Sequence, residues 1–417
     1  MTTAEARATS GPLTVVVTAL TLVLVSRGVL ELVVGKTLAY GVQALAAAAV
    51  VVIVLVTGRA RPGPAWRRTW TSYYVLVLAA FASGAATLLV SGTTRFFPYI
   101  AVMCFICALL AAVSSTTRRV VRVDFGPVVV VTLAVLVAFA LLQQLAGFSA
   151  LPGVDRGSLG DTARPSSLTG SFLHYPLCAA VLTFASAGIA QVRRSRWYAA
   201  VAVVGAAAVL LSYSRSGMLV VLAGALLGGV FAPGAGAKLR TAYLALVAAL
   251  AVYLGFSSTT VVERALSAVS LEGAGNVTRV DRWDLALRMW FDSPLLVGRY
   301  TGEVTNVTGN LTDARAIVVE SGTLQQLLNF GLVGTVAFYV LAALSVRAVD
   351  RRVSWTCAGM TACLIQTFVY QSVEVLPFMA LFALVPAMVE RPRTAVDPPA
   401  SVTGPRAALA VGPEVHA

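Results

Sequence analysis

Residues 39–57 read AYGVQALAAAAVVVIVLVT, without one charged side chain, and residues 58–68 read GRARPGPAWRR, carrying Arg59, Arg61, Arg67 and Arg68. At ~1.5 Å rise per residue, a helix over 39–57 is about 28 Å long, the thickness of a bilayer's hydrocarbon core. An apolar run closed abruptly by arginines is the pattern of a transmembrane helix leaving the membrane on its positive side. The rest of the chain repeats it. Similar runs occupy about 12–34, 70–91, 97–115, 126–146, 172–191, 197–213, 216–232, 240–258, 322–346, 354–373 and 375–389, making twelve candidate spans. The composition agrees: 58% of the 417 residues are hydrophobic and 12% are charged. Soluble domains carry roughly 25% charged residues, so this chain cannot cover a water-facing surface. The expected fold is an all-α polytopic membrane protein. Residues 1–390 form one transmembrane domain, and a Pro/Ala-rich tail, 391–417, is expected to be disordered.

The net charge of +13 invites a nucleic-acid reading until the charges are located. Nineteen basic residues fall in alternate loops and the two termini: Arg7, then the loops around 59–68, 118–122, 193–196, 238–240 and 347–352, then Arg391, Arg393 and Arg406. The positive-inside rule makes that face, with both termini, cytoplasmic. The charge therefore marks topology, and no nucleic-acid partner is expected. The apolar N-terminal run lacks a small-residue cleavage site and more spans follow, so it reads as a span rather than a secretory signal. Cys104, Cys107, Cys178, Cys357 and Cys363 all fall within spans and read as buried small hydrophobes. With only His174 and His416 in the chain, no metal site is expected.

Two segments on the opposite face break the pattern of short loops, about 147–171 and 259–321. The second holds Glu263, Glu272, Asp281, Asp284, Asp292, Glu303, Asp313 and Glu320, with arginines 264, 279, 282, 288, 299 and 315. Within it, residues 279–291 (RVDRWDLALRMWF) are spaced as an amphipathic helix. Asp281, Asp284, Arg288 and Asp292 lie on one stripe, and Trp283, Ala286 and Trp290 lie opposite. Such a helix rests in the membrane interface with its indoles at headgroup level, or caps the bundle; the two readings are compatible. Pro294 and Gly298 stop it. Arg288 reads as the salt-bridge partner of Asp284. Arg215, in Ser212-Tyr213-Ser214-Arg215-Ser216-Gly217, and Arg164, just before the sixth span, belong to the same face. Each snorkels to headgroups or binds an anion, and a guanidinium fork suits phosphate oxygens. Arg27 and Glu31, four residues apart inside the first span, are a functional pair or a self-neutralising structural one.

Four stretches together resemble the O-antigen ligase and polymerase superfamily of bacterial membrane proteins. They are Arg164 through Pro176, with Gly170, Phe172, His174 and Pro176; Ser212-x-Ser214-Arg215-Ser216-Gly217; Arg279-x-x-x-Trp283-x-x-Ala286-Leu287 followed by Pro294-Leu295-Leu296-Val297-Gly298; and Glu320-Ser321-Gly322-Thr323-Leu324 through Gly331-Leu332-Val333-Gly334. The resemblance covers about 160–345. Two positions depart from the pattern: Glu320-Ser321 stands where ligases of the family carry His-Asn, and Gly298-Arg299-Tyr300 replaces Gly-x-Gly. A carboxylate there looks more like the polymerase branch.

The resemblance implies a cofactor-free glycosyltransferase of the bacterial cytoplasmic membrane, working at its outer face. The donor would be an undecaprenyl-pyrophosphate-linked glycan and the acceptor a glycan or lipid, with envelope-polysaccharide assembly proteins as further partners. Arg215 and Arg279 would bind pyrophosphate, with Arg164 and Arg282 as secondary contacts. Glu320 would take the acceptor's proton, although a carboxylate opening a span is equally expected to satisfy helix-start amides. Trp283, Trp290 and His174 would contact glycan or loop. Two other classes fit a twelve-span chain: a transporter or lipid-linked glycan flippase, and a non-catalytic component of an envelope assembly.

Overall fold

The computed structural model describes residues 10–92, 94, 96–117, 123–145, 158–159, 162–232, 234, 236, 274–305, 319–350 and 352–389. They form thirteen α-helices. The first nine are α1 (Ser10–Val25), α2 (Arg27–Val34), α3 (Lys36–Thr57), α4 (Trp66–Ser91), α5 (Phe96–Ser114), α6 (Phe125–Leu145), α7 (His174–Arg193), α8 (Arg196–Leu210) and α9 (Arg215–Phe231). The rest are α10 (Ala274–Phe291), α11 (Gly322–Arg347), α12 (Ser354–Val369) and α13 (Leu376–Met388). Among the described residues strand structure is limited to two antiparallel pairs of two residues, Arg61–Pro62 with Thr116–Thr117 and Ser158–Leu159 with Thr162–Ala163.

Among the described residues six helices (α3, α4, α5, α6, α7 and α11) are long and apolar enough to cross a membrane, and α1 with α2 makes a seventh if that bent pair is one span. Helices α8, α9 and α13 are apolar but shorter. The run at 240–258 and the tail at 391–417 lie outside the described residues. The outward faces carry large apolar side chains, such as Leu89 at 86% exposure and Leu45 at 72%. In water these would be aggregation sites; in a bilayer they meet acyl chains at no cost. The chain is therefore an α-helical membrane protein.

Helix α13 is apolar all round and buried at every residue, as a central helix must be. It packs against α5 and α7, while α9 lies along α12 and α4 along α11. Between lipid-soluble helices the hydrophobic effect gives little, and close packing of small residues takes over. Phe184 of α7 fills the space left by two glycines: a Cβ would fall 2.2 Å from its ring at Gly224 of α9 and 2.0 Å at Gly359 of α12.

The arginine-bearing loops that are described meet at one end of the bundle. The 58–65 loop pairs with Thr116–Thr117, Arg193 ion-pairs with Asp124, and Gln191 bonds Ser354 at 3.0 Å.

Two runs expected to be continuous are interrupted, and another stops short. The first span bends by 74° between α1 and α2. The eleventh ends at Val369, and residues 370–375 are non-helical before α13. The second break, inside α11, shapes the site. Gly331 has φ 63° and ψ −170°, a combination open in practice only to glycine. Residues 294–300 fill the gap. The amides of Leu332 and Val333 donate to the carbonyls of Leu295 (2.9 Å) and Leu296 (3.2 Å), and the Leu328 carbonyl accepts from Arg299 and Tyr300. Thr301 and Thr305 are fully buried. Asn329 holds this segment from the helix side, accepting from the Gly302 amide at 2.9 Å and donating to the Val304 carbonyl at 3.0 Å. Gly331 lies nine residues, roughly 13 Å, into the helix. Irregular backbone at membrane depth survives only where protein satisfies it, and here it does.

Candidate functional site

The candidate site stands at the start of α11, at the opposite end from the arginine-bearing loops. Glu320 precedes the helix in the left-handed region, at φ 58°. It does not cap α11. Ser321 does, its Oγ accepting from the Leu324 amide at 3.3 Å and donating to the Phe368 carbonyl at 2.7 Å. The Glu320 carboxylate instead bridges two arginines of α10. Arg279 Nε donates to Oε2 and Arg282 Nη1 donates to Oε1, both at 2.7 Å. The three-residue spacing puts both guanidinium groups on one face of the helix.

Arg215 joins this group from a third segment, within electrostatic range of Arg279 and Glu320. The corner that carries it is built by its serines. Ser212 Oγ donates to the Val209 carbonyl at 2.6 Å and accepts from the Ser214 amide at 3.3 Å. Tyr213 takes φ 55°, and α9 begins at Arg215. Two arginines of one element thus hold one carboxylate from another, with Arg215 of a third in electrostatic range.

Helix α10 begins five residues earlier than expected, at Ala274. Its inward face is the expected one. Trp283, Ala286 and Trp290 pack with Val304, Val319, Leu328 and Tyr300. The indoles therefore serve as loop contacts, seating α10 on α11 and on the segment inserted at Gly331. Both indole N–H groups are buried without a hydrogen-bond partner. On the outer face Arg288 pairs with Asp284 at 2.6 Å.

Two further expected residues have contacts of their own. The Arg164 guanidinium lies over the Phe172 ring, 3.9 Å from its centroid. His174, the first residue of α7, has Nδ1 3.5 Å from Arg27 Nη1. Arg27 ion-pairs with Glu31 at 2.6 Å and stacks over Tyr40 at 4.7 Å. This is a second polar group at the same end.

Sequence reasoning missed Glu374. It is buried between α12 and α13, accepting from Thr305, from Gln325 Nε2 (2.7 Å) and from Gln371 Nε2 (3.2 Å). The signal was available: a lone acid between two apolar runs is a functional candidate by default. Among the described residues no three His, Cys, Asp or Glu side chains gather as a metal site. No protein-family model and no curated protein sequence matches the chain.

Proposed function

We propose that this chain is a glycosyltransferase of the bacterial cytoplasmic membrane that transfers or polymerises a glycan carried on undecaprenyl pyrophosphate, at the outer face. One observation carries the reading. Arg279 and Arg282 bond the Glu320 carboxylate, and Arg215, up to 105 positions away in the chain, lies within electrostatic range of the same group; Arg215, Arg279 and Glu320 come from three separate stretches of the resemblance. The family resemblance is the other support, and Glu320 in place of histidine leans toward polymerisation.

The chemistry follows from the groups present. An acceptor hydroxyl oxygen attacks the anomeric carbon of the donor glycan and forms the new glycosidic bond. The carbon–oxygen bond to pyrophosphate breaks, and the leaving group departs with the electron pair. Arg215, Arg279 and Arg282 stabilise the charge that develops on it, a role worth about 3–4 kcal/mol per well-placed donor. The hydroxyl proton passes to Glu320, a general-base contribution of about 10²–10⁴-fold. In the ligand-free protein Glu320 is the anion the arginines hold. Arriving pyrophosphate competes for the same guanidinium groups and frees the carboxylate to face the acceptor.

The test is replacement of Arg215, Arg279 or Glu320 by Ala in cells, with surface-polysaccharide chain length as readout. Loss of polymer at unchanged protein level is expected; normal polymer would sink the assignment. A transporter reading draws on the breaks at Ser26 and Gly331, since broken helices are common in transporters. At Gly331, however, the chain fills its own gap. Substrate flux in proteoliposomes without covalent product would favour transport.

A further inference from the structure

The group around Arg27 is left unused by the mechanism above. It forms where the first span breaks, so that Arg27 begins α2 immediately after the 74° bend. Three partners surround its guanidinium: Glu31 one turn on, His174 from α7 and the Tyr40 ring from α3. Arg27 and Glu31 are largely but not wholly covered, at 11% and 19% side-chain exposure. The wall behind them is rigid. A Cβ on Gly28 would lie 2.6 Å from Gly170 Cα, so α2 is pressed against the turn that leads into α7.

Two contacts tie this group to the Glu320 site. Pro176, two residues after His174, touches Gly217, two residues after Arg215; a Cβ at Gly217 would lie 2.7 Å from the proline Cβ. The second contact runs through Glu374, an electrostatic neighbour of Tyr40, which is bonded by Gln325 of α11, five residues after Glu320. The two polar groups therefore occupy adjoining helix starts at one end of the bundle.

Their chemistry differs. Around Glu320 several arginines share a carboxylate, whereas Arg27 is matched by Glu31, so an anion gains little there. With Nδ1 facing a donor-only guanidinium, the proton of the neutral imidazole sits on Nε2. The group then offers N–H donors from Arg27 and His174, an acceptor from Glu31, and an aromatic ring. A mixed set of donors and acceptors beside a ring face suits a neutral, hydroxyl-rich ring.

We propose that Arg27, Glu31, Tyr40 and His174 form a sugar subsite that holds the acceptor glycan beside the pyrophosphate-binding arginines. The proposal rests on the glycosyltransferase reading and names where its second substrate lies.

The test uses the full-length protein in lipid nanodiscs with two probes, measured separately by calorimetry. One is the oligosaccharide released by mild acid from the host cell's lipid-linked glycan; the other is inorganic pyrophosphate. His174→Gln and Glu31→Gln, each checked for wild-type thermal unfolding, are expected to weaken oligosaccharide binding by roughly tenfold or more, the value of one or two hydrogen bonds. Pyrophosphate binding should stay unchanged. Arg215→Ala should do the reverse. If Glu31→Gln does not fold, His174→Gln decides. Oligosaccharide binding that is undetectable in the wild type, or unchanged in folded His174→Gln, overturns the subsite. Pyrophosphate that fails to bind the wild type while oligosaccharide binding still depends on His174 overturns the transferase reading and leaves the sugar site standing.

Discussion

Gly331→Ala should unseat the segment that holds the candidate site together. The residue sits at φ 63°, ψ −170°, where a side chain costs about 1–3 kcal/mol in backbone strain. Strain is only part of it. The new methyl carbon would stand 2.4 Å from the backbone of Leu296 and Val297, about 1 Å inside ordinary carbon contact. Residues 294–300 must then retreat. Four hydrogen bonds go with them: Leu332 N to Leu295 O, Val333 N to Leu296 O, and Arg299 N and Tyr300 N to Leu328 O. At about 0.5–1.5 kcal/mol each, they add roughly 2–6 kcal/mol. Gly35 supplies the control. It has a similar backbone, φ 79° and ψ 165°, yet an added Cβ there would meet nothing within 4 Å. Gly35→Ala should therefore show the strain alone, and Gly331→Ala the strain plus the lost bonds. Thermal and denaturant unfolding in nanodiscs, with limited proteolysis of residues 294–305, measures both. A Gly331→Ala protein no less stable than Gly35→Ala, and no more readily cut in that segment, would refute the argument that the inserted segment is locked by the break in α11.

Asp284→Ala and Arg288→Ala are expected to lower stability by no more than about 0.5 kcal/mol, because an exposed i,i+4 pair is worth little; the two side chains are 57% and 74% exposed. Polymer formation should be unaffected, which separates this arginine from Arg279 and Arg282 in the same assay. Ser321→Ala removes the cap of α11 and its bond to Phe368, and should cost about 1–2 kcal/mol by denaturant titration. The loss should exceed that of Glu320→Gln if Ser321, and not Glu320, satisfies the helix start.

The readable parts of the site were those governed by local rules. Period 3.6 placed Trp283, Ala286 and Trp290 on one face of α10 and Arg288 beside Asp284, and both hold in three dimensions. The SYSRSG sequence marked a polar corner between apolar runs, and α9 does start there. What local rules could not supply was pairing across the chain. Nothing near Glu320 in sequence says that its carboxylate turns to Arg279 and Arg282 while Ser321 takes the helix amides. Gly331 was legible as part of the Gly331-Leu332-Val333-Gly334 stretch but not as a break in the helix, because its φ is set by Leu295 and Leu296, some 35 residues earlier.

By itself, then, the sequence determined the solvent of this protein. Apolar runs of membrane length closed by arginines leave a lipid bilayer as the place where the chain can bury its surface. It also determined which polar residues were candidates, since an arginine or acid among such runs is costly unless it has a partner. Tertiary structure decided who the partners are. It drew Arg215, Arg279 and Arg282 around Glu320, set Arg27 between Glu31 and His174, and threaded residues 294–305 into a broken helix. Those pairings depend on distances between segments remote in the chain, and folding alone fixes them.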